Sequence, residues 1–466
     1  MYVVPNDTLA RARAAQAGFA TATQATVDEA VTALAWSLYQ PAHARELAEL
    51  AVAETGLGNV ADKIVKKQRK TFGTLRDLLR VRSVGVIEAD PALGIVKYAK
   101  PVGVVAALTP ATNPGATPVN KAMMAVKGRN AILIAPSPGA WRTTARAVEL
   151  MRAELGRIGL PADLVQVLPQ PVTREATAAL MRDADLVVVT GSQANVRQAY
   201  ASGTPAIGVG AGNVPVIIDE TADLDAAAAR IAASKCFDNA TSCSSENAVI
   251  VVDAVYEAAL EALRRAGAYR ASAEEAARIE ATLWREGRLD RSLVARDAAV
   301  LAERFGLAPQ ARAARFFMVE TAGGRPAYPF AGEKLSLVLA VYRAADFNAA
   351  VGQARAILDF QGKGHSAGLH TRRPERGHAL AEALEVVRVL VNQAHSFGNG
   401  GGFDNGLNFT LSMGCGTWGG NSISENLNWR HFVNITHLVT PIAEDRPSEE
   451  ALFGAYWGQH GTGASP

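Results

Sequence analysis

Residues 235–252, KCFDNATSCSSENAVIVV, join a loop of small polar residues to a continuous, β-branched apolar run. A short run of that composition predicts a buried strand. The residues before it predict a loop that delivers Cys243 to the edge of the strand. A thiol placed there can be reached by a substrate, and a nearby cation or helix N-terminus would favour its nucleophilic thiolate form. The alternative is that Cys243 packs as a small buried apolar residue, as most free cysteines do.

The composition is typical of a well-buried soluble protein, because 49% of the 466 residues are apolar and 20% are charged. This length allows two or three domains. A formal net charge of +2 indicates no nucleic-acid partner. Three cysteines are too few for a disulfide framework and suit a reducing compartment. No signal-peptide pattern, membrane-length apolar run or metal-ligand set is evident, so we expect a cytoplasmic protein with no membrane partner and no metal.

The first part of the chain is predicted to be helical. Apolar residues recur at helical spacing through residues 7–80, with a break at 56–59. The basic residues within 63–70 predict a solvated helix face, and the alternative is a contact for a polyphosphate ligand. Residues 84–100 predict a β-hairpin that turns at Asp90 and Pro91.

From residue 101 onward, strand and helix patterns alternate, which predicts a parallel sheet with helices on both faces. The predicted strands are 102–108, 130–135, 163–168, 186–190 and 206–209. The predicted helices between them are 117–126, 141–155, 173–182 and 192–202.

Ligands of such sheets bind at the carboxyl ends of the strands. The candidate contacts for a dinucleotide cofactor in those loops are Thr109, Pro110, Ser137, Arg142, Gly191 and Ser192. Gly191 and Ser192 open a helix whose free amides suit an anion, although Ser192 is equally an ordinary helix cap. Sheets that prefer NAD usually place an acid near the ribose 2′-hydroxyl. Because residues 135–138 contain no acid and Arg142 follows, NADP is favoured over NAD.

The glycine-rich residues 208–212 precede a strand-like run at 214–218, whereas a phosphate-binding glycine loop must open a helix. We therefore interpret them as a tight connection beside the active site. A second α/β unit follows, with a long helical stretch at 255–305, strands at 316–319, 335–342, 365–370 and 386–392, and helices at 347–358 and 376–384. The predicted division is a cofactor domain at 1–235, a catalytic domain at 236–417 and a tail at 418–466.

Residues 432–438 predict one more strand in that tail. An exposed strand needs a partner for its backbone, so the tail is a candidate oligomerisation element. We expect a homodimer or a homotetramer.

Five stretches of the chain resemble the CoA-acylating aldehyde dehydrogenases, and together they extend over nearly its whole length. They are 112–114 (TNP), 128–131 (GRNA), 202–213 (SGTPAIGVGAGN), 237–243 (FDNATSC) and 414–422 (GCGTWGGNS). The same pattern marks the aldehyde dehydrogenase half of bifunctional aldehyde–alcohol dehydrogenases. The resemblance implies an α/β fold with a Rossmann-type cofactor domain, a second α/β catalytic domain and a small oligomerisation element.

The resemblance also implies a reaction, in which an aldehyde, CoA and NAD(P)+ give an acyl-CoA and NAD(P)H. Cys243 matches the nucleophile that forms a thiohemiacetal and then a thioacyl-enzyme. Asn113 matches the side-chain amide of the oxyanion hole, with the Cys243 backbone N–H as the second donor. Taken alone, Asn113 is a typical turn asparagine before a proline.

Further roles follow from the same resemblance. Glu333 matches a position that holds the nicotinamide ribose, and the alternative is an exposed loop carboxylate. His365 is a candidate proton shuttle, and the alternative is a structural histidine. Gly210 is a further candidate for cofactor binding. Cys236 and Cys415 are expected to be packing residues.

One absence favours CoA over water as the acyl acceptor. Hydrolytic aldehyde dehydrogenases carry a glutamate ahead of the nucleophile as general base for water. The corresponding position is about Val209, and no carboxylate lies between Gly208 and Pro215. A thiol needs less activation than water, because its pKa is near 8.5.

Within the family the chain is most similar to members that act on sulfoacetaldehyde. A sulfonate needs hydrogen-bond donors such as Asn405 and Asn408, or an arginine that reaches the pocket. Succinate semialdehyde and then acetaldehyde are the alternative substrates. A hydrolytic aldehyde dehydrogenase and a non-catalytic dinucleotide-binding paralogue are the alternatives of other classes.

Overall fold

Four helices precede the first strand in the computed structural model, which describes residues 6–321 and 329–461. They are α1 (Asn6–Phe19), α2 (Gln24–Tyr39), α3 (Pro41–Thr55) and α4 (Val60–Leu79). The apolar stripe of α2, which includes Val27, Val31, Leu34 and Leu38, is fully buried, as its spacing predicts. The predicted hairpin follows as β1 (Gly85–Asp90) and β2 (Ile95–Pro101), which pair antiparallel.

The next five strands form a parallel sheet. Its elements in chain order are β3 (Val104–Thr109), α5 (Ala116–Lys127), β4 (Ala131–Pro136), α6 (Trp141–Arg157), β5 (Val165–Val167), α7 (Arg174–Asp183), β6 (Leu186–Thr190), α8 (Gln193–Tyr200) and β7 (Ala206–Val209). The strand order is β5-β4-β3-β6-β7. The order reverses beside β3, so a crevice opens at the carboxyl ends of β3 and β6.

A seven-stranded parallel sheet forms the second unit, in the order β10-β13-β14-β9-β8-β15-β16. Its first elements are β8 (Val214–Ile218), α9 (Leu224–Cys236), β9 (Glu246–Val252), α10 (Tyr256–Arg265), β10 (Ala268–Arg270), α11 (Ala273–Leu283), the paired short strands β11 (Trp284–Arg285) and β12 (Arg288–Leu289), and α12 (Ala298–Arg304). The remaining elements are β13 (Phe316–Glu320), β14 (Val338–Ala344), α13 (Phe347–Phe360), β15 (Gly364–His370), α14 (Pro374–Ala383), β16 (Val386–Val391) and α15 (His395–Gly398).

Two sequence predictions differ from this architecture. The chain changes sheets between Val209 and Val214, well before the predicted boundary at residue 235, because β8 pairs with β9 and β15. The long helical stretch predicted at 255–305 is broken into three helices. Gly267 and Gly287 adopt positive φ angles of 104° and 71° within it, and such turns interrupt a helix.

The tail forms the predicted strand, β17 (Val433–Val439), and then α16 (Glu449–His460). β17 pairs antiparallel with β2, which gives a three-stranded sheet. From Asn434 to Val439 the strand is exposed, and no residue of α16 is buried. In the described ranges no helix combines the length and the apolar character that crossing a membrane requires.

A buried ionic cluster joins α4 to the loop that precedes β9. The Asp238 carboxylate is fully buried and accepts hydrogen bonds from Lys63 Nζ at 3.0 Å and Lys66 Nζ at 2.5 Å. It also accepts from the Thr241 hydroxyl at 2.7 Å and the Asn59 backbone N–H at 3.1 Å. Burial opposes ionisation of the carboxyl, but the ammonium groups of Lys66 and Lys63 outweigh it and hold the pKa of Asp238 below its ordinary value.

The variant Asp238→Asn should strongly destabilise the protein, because it leaves two buried ammonium groups without a counter-charge. Breaking a buried ion pair from one side costs about 3–5 kcal/mol. The pKa of Asp238 is lower in the folded protein than in the unfolded chain. The stabilisation that ionised Asp238 gives the folded state is therefore complete above the pKa of an unfolded aspartate, about 3.9, and it is lost as the pH falls through the folded pKa.

Thermal and urea unfolding at neutral pH measure the effect. Asp359→Asn is the matched control, because it breaks only an exposed pair with Lys363, worth about 0–1 kcal/mol. Equal stability losses in the two variants would contradict the prediction.

Candidate active site

Cys243 lies on the wall of a cavity of about 310 Å³ where loops of the two sheets meet. The residue is half-buried, and β9 begins three residues later, as the sequence predicts. The lining residues are Pro110, Thr112, Asn113, Thr117, Thr190, Gly191, Ser192, Gly210, Ala211, Thr241, Ser242, Cys243, Glu333, Leu335, Leu411 and Met413. The cavity therefore brings together the predicted nucleophile, the predicted oxyanion donor and five predicted cofactor residues.

Unusual backbone angles shape the loop that carries Cys243. Asp238, Asn239 and Ala240 have φ angles of 50°, 53° and 60°, in the left-handed region that non-glycine residues rarely adopt. The hydrogen bonds to the Asp238 carboxylate hold this bend. Gly212 then approaches Cys243 closely, because a Cβ at position 212 would lie 2.2 Å from the Cys243 carbonyl oxygen. Residues 208–212 thus form the tight connection beside the active site that the sequence predicts, and Gly212 allows the backbone to pass close to Cys243.

The thiol is not held as a thiolate in this structure. Burial, with the negative charge of Glu333, raises the pKa of Cys243 to about 12, although Arg388 acts in the opposite direction. The sequence did not point to Arg388, which is buried and donates to the backbone oxygens of His365 and Gly414. The predicted activation of Cys243 by a cation is therefore outweighed by burial in the ligand-free protein.

Asn113 is placed to donate into the cavity. Its backbone oxygen accepts from the Thr117 N–H at the start of α5, which fixes the loop. Its side-chain amide makes no hydrogen bond to any residue that the structure describes, so it is free for a substrate oxygen. The Thr117 hydroxyl is buried and also has no partner there.

Glu333 is the one carboxylate that lines the cavity among residues 6–321 and 329–461. Burial raises the pKa of Glu333 to about 8, although the Gly212 N–H stabilises its charged form. The side chain therefore holds its proton at neutral pH, and its repulsion of a Cys243 thiolate is then small. The alternative of an exposed loop carboxylate is wrong, because the group is half-buried against the cavity.

His365 does not line the cavity. It is buried at the start of β15, where its Nδ1 lies 2.8 Å from the Ser366 hydroxyl, which lies 2.9 Å from His395 Nε2. Burial keeps the pKa of His365 well below its ordinary value, so the ring is neutral. Its Nε2 has no partner among the described residues. The role of proton shuttle stays a prediction.

A second cavity, of about 390 Å³, lies at the carboxyl ends of β3, β4 and β6. It shares Pro110, Thr190, Gly191 and Ser192 with the Cys243 cavity, so the two are continuous. Ser192 caps α8 through the Asn195 N–H, as its position predicts. The Thr109 hydroxyl on the wall is buried without a partner, which leaves it available to a ligand. Size, position and free donors fit a dinucleotide.

The charged residue on this second cavity is not the expected one. Arg142 is exposed on the first turn of α6 and does not line the cavity, although Ser137 does. Arg174, at the start of α7, lines it instead. The sequence predicts a cation after β4, whereas the segment that follows β5 supplies it.

The basic residues of α4 are also placed differently from the sequence prediction. Lys63, Lys66, Lys67 and Lys70 are buried, so this is not a solvated face. Their spacing of three and four residues puts them on one side of the helix. That periodicity is the feature of the sequence from which a shared face could be predicted.

The two asparagines predicted to bind a sulfonate lie elsewhere. Asn405 and Asn408 do not line the Cys243 cavity, and Asn405 instead holds its own loop together.

Alkylation should report the protonated state of Cys243. Because the thiolate is the reacting form and its pKa is raised, the rate with iodoacetamide should rise about tenfold per pH unit from pH 7 to 9. Labelled-peptide mass spectrometry at Cys243 measures it, and Cys243→Ala, which keeps Cys236 and Cys415, gives the background. A rate that levels off below pH 9 would contradict the raised pKa.

Comparison with known proteins agrees with this geometry. Residues 6–274 match the aldehyde dehydrogenase family. Over 455 residues the chain is 56% identical to a sulfoacetaldehyde dehydrogenase (acylating) of Cupriavidus necator, covering 97% of this chain and 92% of the relative. An enzyme of the same name from Bilophila wadsworthia is 43% identical, with 97% and 98% covered. The crystal structure of an acetylating aldehyde dehydrogenase from Geobacillus thermoglucosidasius matches with a TM-score of 0.90 at 35% identity, covering 95% of this chain and 97% of that one. The chain therefore belongs to the aldehyde dehydrogenase family and, within it, to the acylating branch.

Proposed function

We propose that this protein is a CoA-acylating aldehyde dehydrogenase whose substrate is a small anionic aldehyde, with sulfoacetaldehyde the first candidate. The aldehyde, the CoA thiol and NAD(P)+ give an acyl-CoA, NAD(P)H and a proton. The observation that carries the proposal is that Cys243 and the free Asn113 amide line one cavity, which continues into the second cavity at the carboxyl ends of β3, β4 and β6. The names of the two sulfoacetaldehyde dehydrogenases support the choice of substrate.

In this proposal Cys243 Sγ attacks the aldehyde carbon and forms a thiohemiacetal. The Asn113 amide and the Cys243 N–H donate to the developing oxyanion, and such donors are each worth about 3–4 kcal/mol in acyl transfer. Bound NAD(P)+ supplies the hydride acceptor that makes the step an oxidation. The product on the protein is a thioester at Cys243, which the CoA thiolate then cleaves, and this releases the Cys243 thiolate.

Water is a poor competitor for that thioester. Val209 is buried at the end of β7, and Gly210 and Ala211 form the adjacent cavity wall, so no general base lies at that position. Glu333 lies on the cofactor side in the proposed arrangement and holds the nicotinamide ribose. A hydrolytic aldehyde dehydrogenase is the enzymatic alternative, and its activity would not require CoA.

The cofactor is proposed to be NADP in preference to NAD. In the described part of the chain, Arg174 is the one charged residue that lines the second cavity, and no carboxylate does. A ribose 2′-phosphate needs a cation, whereas a 2′-hydroxyl is normally held by an acid. Arg174 therefore replaces Arg142 as the residue expected to contact the phosphate.

A cytoplasmic location stays a prediction from the sequence.

The exposed tail suggests the oligomeric state. Large apolar side chains are exposed on it, and they include Leu438, Val439, Leu452, Phe453 and Tyr456. Exposed apolar side chains concentrated in one segment are typical of an interface. We expect the full chain to sediment as a homodimer or homotetramer, and a chain ended after residue 432 to sediment as a smaller species. A monomeric full chain in analytical ultracentrifugation would contradict this expectation.

The activity is tested by incubating the purified protein with sulfoacetaldehyde and NADP+, with and without CoA, while NADPH and thioester are both measured. Equal amounts of NADPH and thioester, formed only with CoA, are expected. Cys243→Ala should lose turnover and keep NADP+ binding, which separates a catalytic thiol from a structural one.

Three outcomes would contradict the proposal. NADPH formed without CoA would indicate hydrolysis. A Cys243→Ala variant with full activity would remove the proposed nucleophile, and a protein inactive with every small aldehyde would favour a non-catalytic paralogue.

A further inference from the structure

The buried lysine face of α4 carries more positive charge than its surroundings neutralise. Lys63 and Lys66 are both paired with Asp238. Lys67 and Lys70, on the same face, form no ion pair with any residue that the structure describes. Charged groups are rarely buried without a partner, because leaving water costs several kcal/mol.

Lys67 lies beside the wall of the Cys243 cavity. A Cβ at Gly115 would lie 3.1 Å from Lys67 Cε, so the lysine packs directly against that glycine. Gly115 stands between Asn113 and Thr117, which both line the cavity. The Lys67 ammonium donates no hydrogen bond within the described ranges, although the residue is only 3% exposed.

Lys70 approaches the cavity from one helical turn further along. Its Nζ donates to the Gly400 carbonyl at 2.7 Å, with a longer contact of 3.4 Å to the Gly401 carbonyl. An ammonium has three donors, so at least one remains. A Cβ at Gly400 would lie 2.9 Å from Lys70 Nζ and 3.5 Å from the sulfur of Met413, a residue of the cavity wall.

The electrostatics agree with this geometry. Burial, together with the charge of Lys63, lowers the pKa of Lys67 to about 7. Burial and the charges of Arg69 and Lys66 lower the pKa of Lys70 to the same value, whereas Cys243 raises it. An anion in the cavity would stabilise both ammonium groups. Among the residues that the structure describes, no arginine lines the cavity, and Lys67 and Lys70 are the α4 lysines behind its wall that have no carboxylate partner.

We propose that Lys67 and Lys70, with the unpartnered Thr117 hydroxyl, form the subsite that binds the anionic end of the aldehyde substrate. This inference rests on the proposed function and names the residues that select its substrate class. The anion expected is the sulfonate, whose three oxygens can accept from several donors at once. The aldehyde carbon then faces Cys243 and Asn113 on the same cavity wall.

Steady-state kinetics with two aldehydes test the assignment. The full-length wild type, Lys67→Met and Lys70→Met are each assayed with sulfoacetaldehyde and with the neutral propionaldehyde, at saturating NADP+ and CoA. The ratio of the two kcat/KM values should fall by about 10- to 100-fold in each variant, which is the worth of one charged hydrogen bond. Because the ratio is taken within one protein, a general loss of active enzyme does not change it.

Lys363→Met is the matched control. Lys363 is exposed and pairs only with Asp359 and Glu385 on the surface, so the ratio should stay at the wild-type value. A ratio unchanged in both Lys67→Met and Lys70→Met would overturn the proposal. An effect confined to the KM for CoA would also overturn it, since it would assign the lysines to the phosphates of CoA.

A measurement on the wild type keeps the test independent of folding. Ethanesulfonate should inhibit propionaldehyde oxidation competitively at a concentration about tenfold or more below that of ethyl methyl sulfone, its neutral isostere. Equal inhibition by the two compounds would overturn the anion subsite. CoA-dependent NADPH formation from propionaldehyde would in that case leave the proposed CoA-acylating activity standing.

Discussion

The buried carboxylate of Asp238 is the constraint on which the rest of the site depends. It ties two lysines of α4 to a loop whose backbone runs through three consecutive left-handed residues, and Cys243 follows that bend. Neither partner would remain there alone, because each would leave an uncompensated buried charge. The N-terminal helices, which look like a separate packing layer, are therefore part of the wall that positions the thiol.

Desolvation sets the electrostatic character of the whole pocket. It keeps the thiol of Cys243 and the carboxyl of Glu333 protonated at neutral pH, and it lowers the pKa of Lys67 and Lys70. The ligand-free pocket is therefore largely neutral. A charged group on a bound ligand has a large effect on the neighbouring side chains there, because little water screens their electrostatic interaction.

Much of this arrangement could be predicted from the sequence, and the failures share a physical cause. Periodicity identifies the strands, and the small polar residues before β9 identify the thiol loop. Periodicity does not reveal which strands pair over long range. The sequence therefore predicts β8 in the cofactor domain, whereas it belongs to the seven-stranded sheet. It also predicts one helical stretch at 255–305, where three helices form. Burial of charge is equally invisible in a single sequence. The sequence therefore predicts a solvated face for the basic residues within 63–70, and it points to Arg142 where Arg174 lines the cavity.

Gly115 has an evolutionary consequence. Its missing side chain leaves the space in which the stem of Lys67 lies, because a Cβ at position 115 would lie only 3.1 Å from Lys67 Cε. Any larger residue at position 115 would compete with a long residue at position 67 for the same volume. The two positions should therefore covary among relatives, and a lineage could exchange a charged aldehyde for a neutral one by changing this pair while leaving the reacting groups untouched.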